Sequence, residues 1–301
     1  MLYTIWNLQS VDSAQKERSD PNQIQSATLT PVAPHPPLQE FYSEASDRER
    51  FVKDLFDGSA PWYDWAIAFL SFGSGRWYRR QVLTRAGLKK GDRVLDVATG
   101  TGVVAREAIP VAHSVVGLDP SIGMLLAGRE KAKIANVQGQ SERLPFRNQT
   151  FDLLTIGFAL RHFADLDRAF SECARVLRPN GRLLILEITA PESRVRRAIL
   201  AAYMGGIVPA TAAVLTRRVR VARLLRYYWA TTRDCVRPDV ILDAMRGAGF
   251  INAQRNVSLG IFSEYSAVTP PRPLAAVSRA AGRSESSGIR GATAPAPAES
   301  D

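Results

Sequence analysis

A chain of 301 residues has room for one large domain or two, and a hydrophobic fraction of 46% is enough for a real core. Two cysteines, Cys173 and Cys235, exclude a disulfide framework or a cysteine metal cluster; three scattered histidines (His35, His113, His162) exclude a histidine site, so no metal is expected. The net charge of +10 is concentrated in one place, because nine arginines (194, 196, 197, 217, 218, 220, 223, 226, 233) lie between Ser193 and Arg233, a window without lysine or acid.

In chain order, residues 1–45 read as a disordered tail rich in Gln, Ser and Pro, with Pro31, Pro34, Pro36 and Pro37 close together. Met1–Ser10 has no basic start and no sustained apolar run, so no secretory signal is read there and a cytoplasmic protein is expected. One domain is expected over 46–268. It opens with a helical cap at about 50–86, built from an aromatic-rich helix over 51–69 and a second helix over 76–85. Strands follow at 92–97, 114–119, 135–138, 151–156 and 181–188, with helices at 101–109, 121–132 and 165–177 between them. This alternation predicts a parallel sheet covered on both faces. A turn at Arg178-Pro179-Asn180 launches the fifth strand, a helix at 237–248 ends at Gly249, and 250–257 with 259–267 read as a closing antiparallel hairpin. Cys173 falls on an amphipathic helix, as core packing. Residues 269–301 read as a second disordered tail.

Val94–Gly102 carries the most chemistry. Val94, Leu95 and Val97 are a buried strand; Gly100 and Gly102 let the backbone turn tightly and approach a ligand; a helix N-terminus follows. Asp119 ends the next strand, 23 positions beyond Asp96, where a ribose finds its acceptor. A dinucleotide site would read G-x-G-x-x-G and hold a pyrophosphate. This loop instead begins with the carboxylate of Asp96, which repels a pyrophosphate and suits a cationic ligand such as S-adenosylmethionine.

Ala198–Thr216 has no charge and is flanked by Arg197 and Arg217. It is marginally long enough to span a membrane, but Gly205, Gly206 and Pro209 interrupt it, and an apolar lid over 194–233 is the better reading. The arginines around it read either as a solvated face or as a surface for anionic lipid headgroups. Nucleic acid is set aside because no reading motif accompanies the charge. A homo-oligomer is left open.

Phe56–Asp64, Leu70–Gly73, Val94–Gly102, Leu144–Phe146, Thr155–His162, Arg175–Pro179 and Gly181–Glu187 together resemble the ubiquinone/menaquinone biosynthesis C-methyltransferases over about residues 50–265. The resemblance implies a Rossmann-like class I methyltransferase: a seven-stranded, mostly parallel sheet with a closing antiparallel hairpin and a helical lid. It implies S-adenosylmethionine as cofactor and the ring carbon of a prenylated quinol as acceptor. On that basis Asp96, Ala98, Gly100, Thr101, Gly102, Asp119, Pro120, Gln140, Ser141 and Gly157 are the candidate cofactor residues. Thr101 is placed near the methionine moiety, Asp119 at the ribose, and Gln140 and Ser141 at the adenine. Gly157 stands where close family members carry serine, which removes one side-chain hydrogen bond.

Methyl transfer to carbon needs alignment and an electron-rich ring. Arg161 is the candidate cation for a phenolate, with an ion pair to Asp165 or Asp167 as its structural alternative. His162 is a candidate base or a surface or capping histidine. Tyr63 and Asp64 sit in the cap, where Asp64 either orients a hydroxyl or caps a helix. Glu187 ends the fifth strand in a structural role. Phe56, Trp62, Tyr63, Trp65 and Phe69 form an aromatic stripe that packs the cap and lines part of an acceptor pocket. His162 replaces the family's asparagine, and Gly260–Tyr265 lacks the usual closing His and basic ending. These departures keep an O- or N-methyltransferase of a specialised metabolite or lipid as the rival reading. A nicotinamide-dependent oxidoreductase and a non-catalytic partner on the cofactor fold rank lower.

Overall fold

The computed structural model describes residues 31–70 and 75–272. The expected tail as far as residue 30, positions 71–73 of the Leu70–Gly73 box and residues 273–301 lie outside the described residues.

Strands β1 (Arg93–Val97), β2 (Ser114–Asp119), β3 (Ala135–Gln138), β4 (Phe151–Gly157), β5 (Leu177–Ile188), β6 (Ile251–Ser258) and β7 (Phe262–Val268) form one sheet in the order β3-β2-β1-β4-β5-β7-β6. The first five are parallel; β7 runs antiparallel between β5 and β6. The central strands read as near-continuous apolar runs because both faces are covered, and the pleat sends alternate residues to opposite sides. Leu95, Val97, Leu154, Ile156, Leu183 and Ile185 pack with α5 (Leu166–Val176) and α9 (Pro238–Gly247). Val94, Leu153, Leu184 and Leu186 pack on the other face, with α2 (Gly75–Arg85) and α3 (Ala105–Ala108). Cys173 is fully buried in the first of these layers.

A third cluster joins α1 (Arg48–Leu70) to α8 (Val219–Arg233) through Val52, Leu55, Tyr63, Leu224, Tyr227 and Tyr228. Before α8 the chain runs as one long helical stretch: α6 (Arg194–Leu200), π-helical turns over Ala201–Ile207, then α7 (Val208–Thr216). Its inner side, Val208 and Ala212, packs on Ala66, Val221 and Leu225.

Three of the boundaries that differ from the sequence reading have a clear physical cause. The first is the end of the N-terminal tail, which stops short of residue 45. From Pro31 the chain packs as a strap, with His35, Leu38 and Tyr42 buried, the Pro34 carbonyl accepting from the Val236 amide, and the Val32 carbonyl accepting from the Leu166 amide. The prolines there hold an extended path instead of marking disorder. The second is α3, which begins at Ala105 and not at 101, because Thr99–Val104 are spent on the turn closed by the Gly102 amide on the Thr99 carbonyl. The third is β5, which already pairs at Leu177; the Arg178-Pro179-Asn180 turn, with Asn180 at φ 60°, is an excursion within that strand and not its start.

Candidate active site

The strand order reverses between β1 and β4, and a cavity of about 460 Å³ opens at their carboxyl ends. The sheet supplies one wall. Ala98, at φ 53°, and Gly100, at φ 57°, bring the loop after β1 to the cavity edge. Helix α4 (Ile122–Ala132) starts beyond Pro120, with the Ser121 hydroxyl capping the Met124 amide. It lies so close to the loop that a Cβ on Gly128 would sit 2.8 Å from the Thr101 backbone.

Asp96 and Asp119 stand immediately behind this wall. Asp96 accepts from the hydroxyls of Thr99 (2.7 Å) and Thr155 (2.6 Å); Asp119 accepts from the amides of Gly100 and Ser121, both at 2.8 Å. Burial pushes each carboxyl up to about 6, against the pull of these donors. Neither carboxylate lines the cavity; together they set negative charge directly behind an open backbone loop, an environment suited to a cationic ligand. That donor set fits S-adenosylmethionine and does not fit a pyrophosphate.

Of the other candidate cofactor residues, Pro120, Gln140, Ser141 and Gly157 line the cavity, while Thr101 and Gly102 lie outside its lining. The Thr101 hydroxyl donates to Asp64. Gln140 donates to Glu49 of α1, and Ser141 to Glu142 at 2.8 Å. Gly157 has a packing reason to be glycine: a Cβ there would lie 2.5 Å from a Val104 methyl.

The far wall is aromatic. Phe56 and Tyr63 of α1, Tyr228 of α8 and His162 converge on the cavity, and the Tyr63 and Tyr228 hydroxyls are hydrogen-bonded at 2.8 Å. Trp62 and Trp65 of the same stripe point outward. His162 stacks on Tyr227 with ring centres 5.3 Å apart and meets Phe56 edge-on at 5.2 Å. Desolvation, and then the positive field of Arg161, lower its pKa well below the usual histidine value, so it is neutral. Neither of its ring nitrogens has a partner.

Arg161, on the turn Leu160–His162 after β4, is fully buried behind Tyr228, with its guanidinium 4.7 Å from that ring. Its ion-pair partner is Glu187, and its Nε donates to Thr231 at 3.0 Å. Asp165, one of the alternatives suggested by the sequence, instead caps α5 through the amides of Asp167 and Arg168. One terminal nitrogen of Arg161 and one oxygen of Glu187 remain without partners. Asp64 faces away from the cavity lining and binds Thr101, Arg106 (3.3 Å) and Lys131 (3.1 Å).

Sequence reasoning missed Arg48, Glu142, Tyr227, Tyr228 and Thr231. Arg48 donates to the carbonyls of His35 and Phe163 and to the Tyr42 hydroxyl. Glu142 accepts from the Ala164 amide at 2.7 Å, tying the loop of Gln140 and Ser141 to the turn that carries Arg161. Tyr227 and Tyr228 were signalled only by the apolar face of α8, which the arginine count obscured.

A doubly covered sheet of this order, with an acid-led glycine loop at its switch point, defines a class I methyltransferase. The model of the ubiE/COQ5 methyltransferase family matches residues 43–268, and the chain belongs to that family; it is an S-adenosylmethionine-dependent methyltransferase. A demethylmenaquinone methyltransferase of Mycolicibacterium paratuberculosis is 33% identical over 237 residues, 76% of this chain and 99% of the relative. A ubiquinone/menaquinone biosynthesis C-methyltransferase of Francisella tularensis is 32% identical over 228 residues, 71% of this chain and 89% of the relative. Among solved structures, a SAM-dependent methyltransferase of Thermotoga maritima superposes with TM-score 0.51 at 17% identity, covering 72% of this chain and 98% of that one. Phosphoethanolamine N-methyltransferase 2 of Haemonchus contortus, solved with phosphomonomethylethanolamine and S-adenosylhomocysteine, gives TM-score 0.52 at 19% identity, covering 72% and 60%. Both share the fold.

Proposed function

We propose that this methyltransferase methylates a ring carbon of a demethylated prenyl-quinol in ubiquinone or menaquinone biosynthesis. The observation that carries this reading is the aromatic chamber of Phe56, Tyr63, His162 and Tyr228, which opens on the cavity next to the glycine loop and has buried polar atoms without partners around it. A flat, hydroxylated ring fits such a chamber: its faces meet aromatic walls and its hydroxyls meet the orphaned groups.

S-adenosylmethionine, when bound, supplies an electrophilic methyl group on a sulfonium. Ala98, Gly100, Pro120, Gln140, Ser141 and Gly157 would border it, with Asp96 and Asp119 giving charge and ribose acceptors from behind; Thr101 and Gly102 shape the loop. Asp64 holds Thr101 and is a positioning residue in this reading. Arg161 stays cationic against Glu187, and through Tyr228 and His162 its field favours a quinol that has lost its phenolic proton, pushing electron density onto the ring carbon. Neutral His162 accepts the hydrogen bond of the ring hydroxyl and then its proton; because burial and Arg161 hold its pKa low, it passes that proton on to water in the cavity, and the proton shed by the methylated ring carbon leaves by the same route. Tyr63 and Tyr228 fix the ring's other edge.

The same reading places the enzyme in the cytoplasm, attached peripherally to a membrane through the arginine-rich segment 194–233, where a prenyl tail is met. The decisive experiment supplies labelled S-adenosylmethionine with demethylated quinols, then with phenols and amines, and locates the methyl by mass spectrometry. Label on a quinol ring carbon is expected. Label only on oxygen or nitrogen overturns the proposal and favours the rival methyltransferase reading.

A further inference from the structure

The stretch Arg194–Thr216 turns its apolar side outward. Val195, Ile199, Ile207, Val214 and Leu215, with Val219 just beyond, are each 60% exposed or more. Val195, Ile199, Ala202, Gly206, Ala210 and Val214 follow one another at helical spacing, and all six are exposed. A soluble helix keeps its apolar stripe for the core; this one is apolar on the inner side as well, through Leu200, Met204, Val208 and Ala212, and so carries a second apolar stripe facing out. Length and composition alone would let this helix cross a membrane, but its other side is committed: Val208 and Ala212 are packed beneath it on α1 and α8. A helix held along one side and greasy along the other is built to lie in an interface, with its axis parallel to it.

The charges frame that stripe. Arg194, Arg196 and Arg197 are exposed at one end, and Arg217, Arg218 and Arg220 at the other. Of the nine arginines in the segment, Arg233 alone has a carboxylate partner among the described residues. At the second end, Arg217, Arg218 and Arg220 border a recess with Gly58 and Trp62, where the Arg218 guanidinium lies 5.3 Å from the Trp62 ring.

We propose that this surface docks on an anionic lipid bilayer, with the stripe from Val195 to Leu215 entering the acyl boundary and the recess at Trp62 receiving a headgroup phosphate. Charge decides between a bilayer and a second copy of the chain. Two copies packed stripe to stripe would bring unpaired arginines together with no acid in either segment, whereas an anionic leaflet neutralises them. The occupant rests on the quinol reading for its purpose only: α1 and α8 line both the recess and the catalytic cavity, so the docked face and the acceptor chamber share two helices.

The test is co-sedimentation of the full chain with phosphatidylcholine vesicles, with and without phosphatidylglycerol. The wild type is expected to bind only the anionic vesicles and to release at raised salt. Replacing Arg217, Arg218 and Arg220 together by Glu lowers partitioning by roughly a hundredfold or more, at about fivefold for each basic residue near the surface. The pair Val214→Asp and Leu215→Asp also abolishes binding, although it leaves every arginine in place. Both variants are expected to bind S-adenosylmethionine as the wild type does and to methylate a short-tailed soluble quinol at unchanged kcat. Absence of vesicle binding, equal binding to neutral vesicles, or a wild-type dimer that Val214→Asp dissociates overturns the docking proposal. Vesicle binding without quinol methylation leaves the docking surface standing and overturns the function, so the two failures are distinguishable.

Discussion

At neutral pH the carboxyls of Asp96 and Asp119 are ionised although buried, since each titrates near 6. For Asp96 the folded value lies above the ordinary 3.8, so the protonated form is the one the fold favours. Its stabilising contribution is fully present below 3.8 and is lost as pH rises through about 6. Asp96→Asn removes that dependence. The melting temperature of the variant relative to the wild type is therefore expected to rise between pH 4 and pH 8, by the equivalent of at most ~3 kcal/mol for a shift of this size. Ligand affinity moves the other way. With Asp96 and Asp119 behind the cofactor as proposed, wild-type binding of S-adenosylmethionine is expected to weaken as pH falls through about 6, where both carboxylates become protonated. Asp96→Asn binds weakly with a flatter pH profile, measurable by calorimetry. At Gly157 a different force rules. Serine there meets a Val104 methyl at 2.5 Å, so Gly157→Ser alone should cost about 1–3 kcal/mol, as overpacking does. Adding Val104→Ala should recover part of that loss, which a double-mutant cycle by denaturant unfolding would show. A purely additive cycle would mean that the two side chains do not compete for the space.

The helix α1 acts on the glycine loop and the start of α4 through two carboxylates, Asp57 and Asp64, two turns apart on one side. Asp57 accepts from the Ser121 hydroxyl and from the Gly123 amide at 2.8 Å, holding the start of α4. Asp64 holds Thr101, Arg106 and Lys131. Asp64→Asn keeps the size and loses the charge. The expected result is a rise of roughly ten- to thirtyfold in KM for S-adenosylmethionine, the loss of one charge-assisted hydrogen bond, with kcat for the quinol changed much less. An equal fall in kcat with KM unchanged would instead place Asp64 at the reacting centre. The strands were legible because β-branched and leucine runs with glycine ends leave little choice, and the hairpin 250–267 was legible from its turn. Which way Asp64 points was not legible. A helix of this length offers several faces, and tertiary packing decides which carboxylate meets the loop. The Arg161–Glu187 pair was hidden for a related reason: the two residues become neighbours only through the β4–β5 register that sets Gly157 beside Leu186. From the sequence, Asp165 and Asp167 were simply nearer.

Across the whole molecule, one side chain joins three parts that the sequence reading kept separate. Arg48, the first residue of α1, is 4% exposed and spends its guanidinium on the strap, through the His35 carbonyl and the Tyr42 hydroxyl, and on the turn that follows β4, through the Phe163 carbonyl at 3.0 Å. Pro31 of the strap lines the cavity together with Arg48 and Phe163, so the pinned strap forms part of the pocket wall. Composition could not disclose this, since a proline-rich segment before a helix looks the same whether it drifts or is pinned, and the pin is a single arginine. Lysine keeps the charge at this position but cannot serve three acceptors lying in different directions. Arg48→Lys should therefore leave buried carbonyls unsatisfied and cost about 2–4 kcal/mol, since an unpaired buried acceptor forfeits its full desolvation energy. That corresponds to a fall of roughly 5–12 °C in Tm for a domain of this size. The accompanying kinetic change should appear as a higher KM for the quinol, because the loosened turn carries Arg161 and His162, while S-adenosylmethionine affinity holds through Asp96 and Asp119 on the opposite side. A variant that melts like the wild type, or that loses the cofactor before the quinol, would show that the pinned strap does not hold the wall of the acceptor chamber.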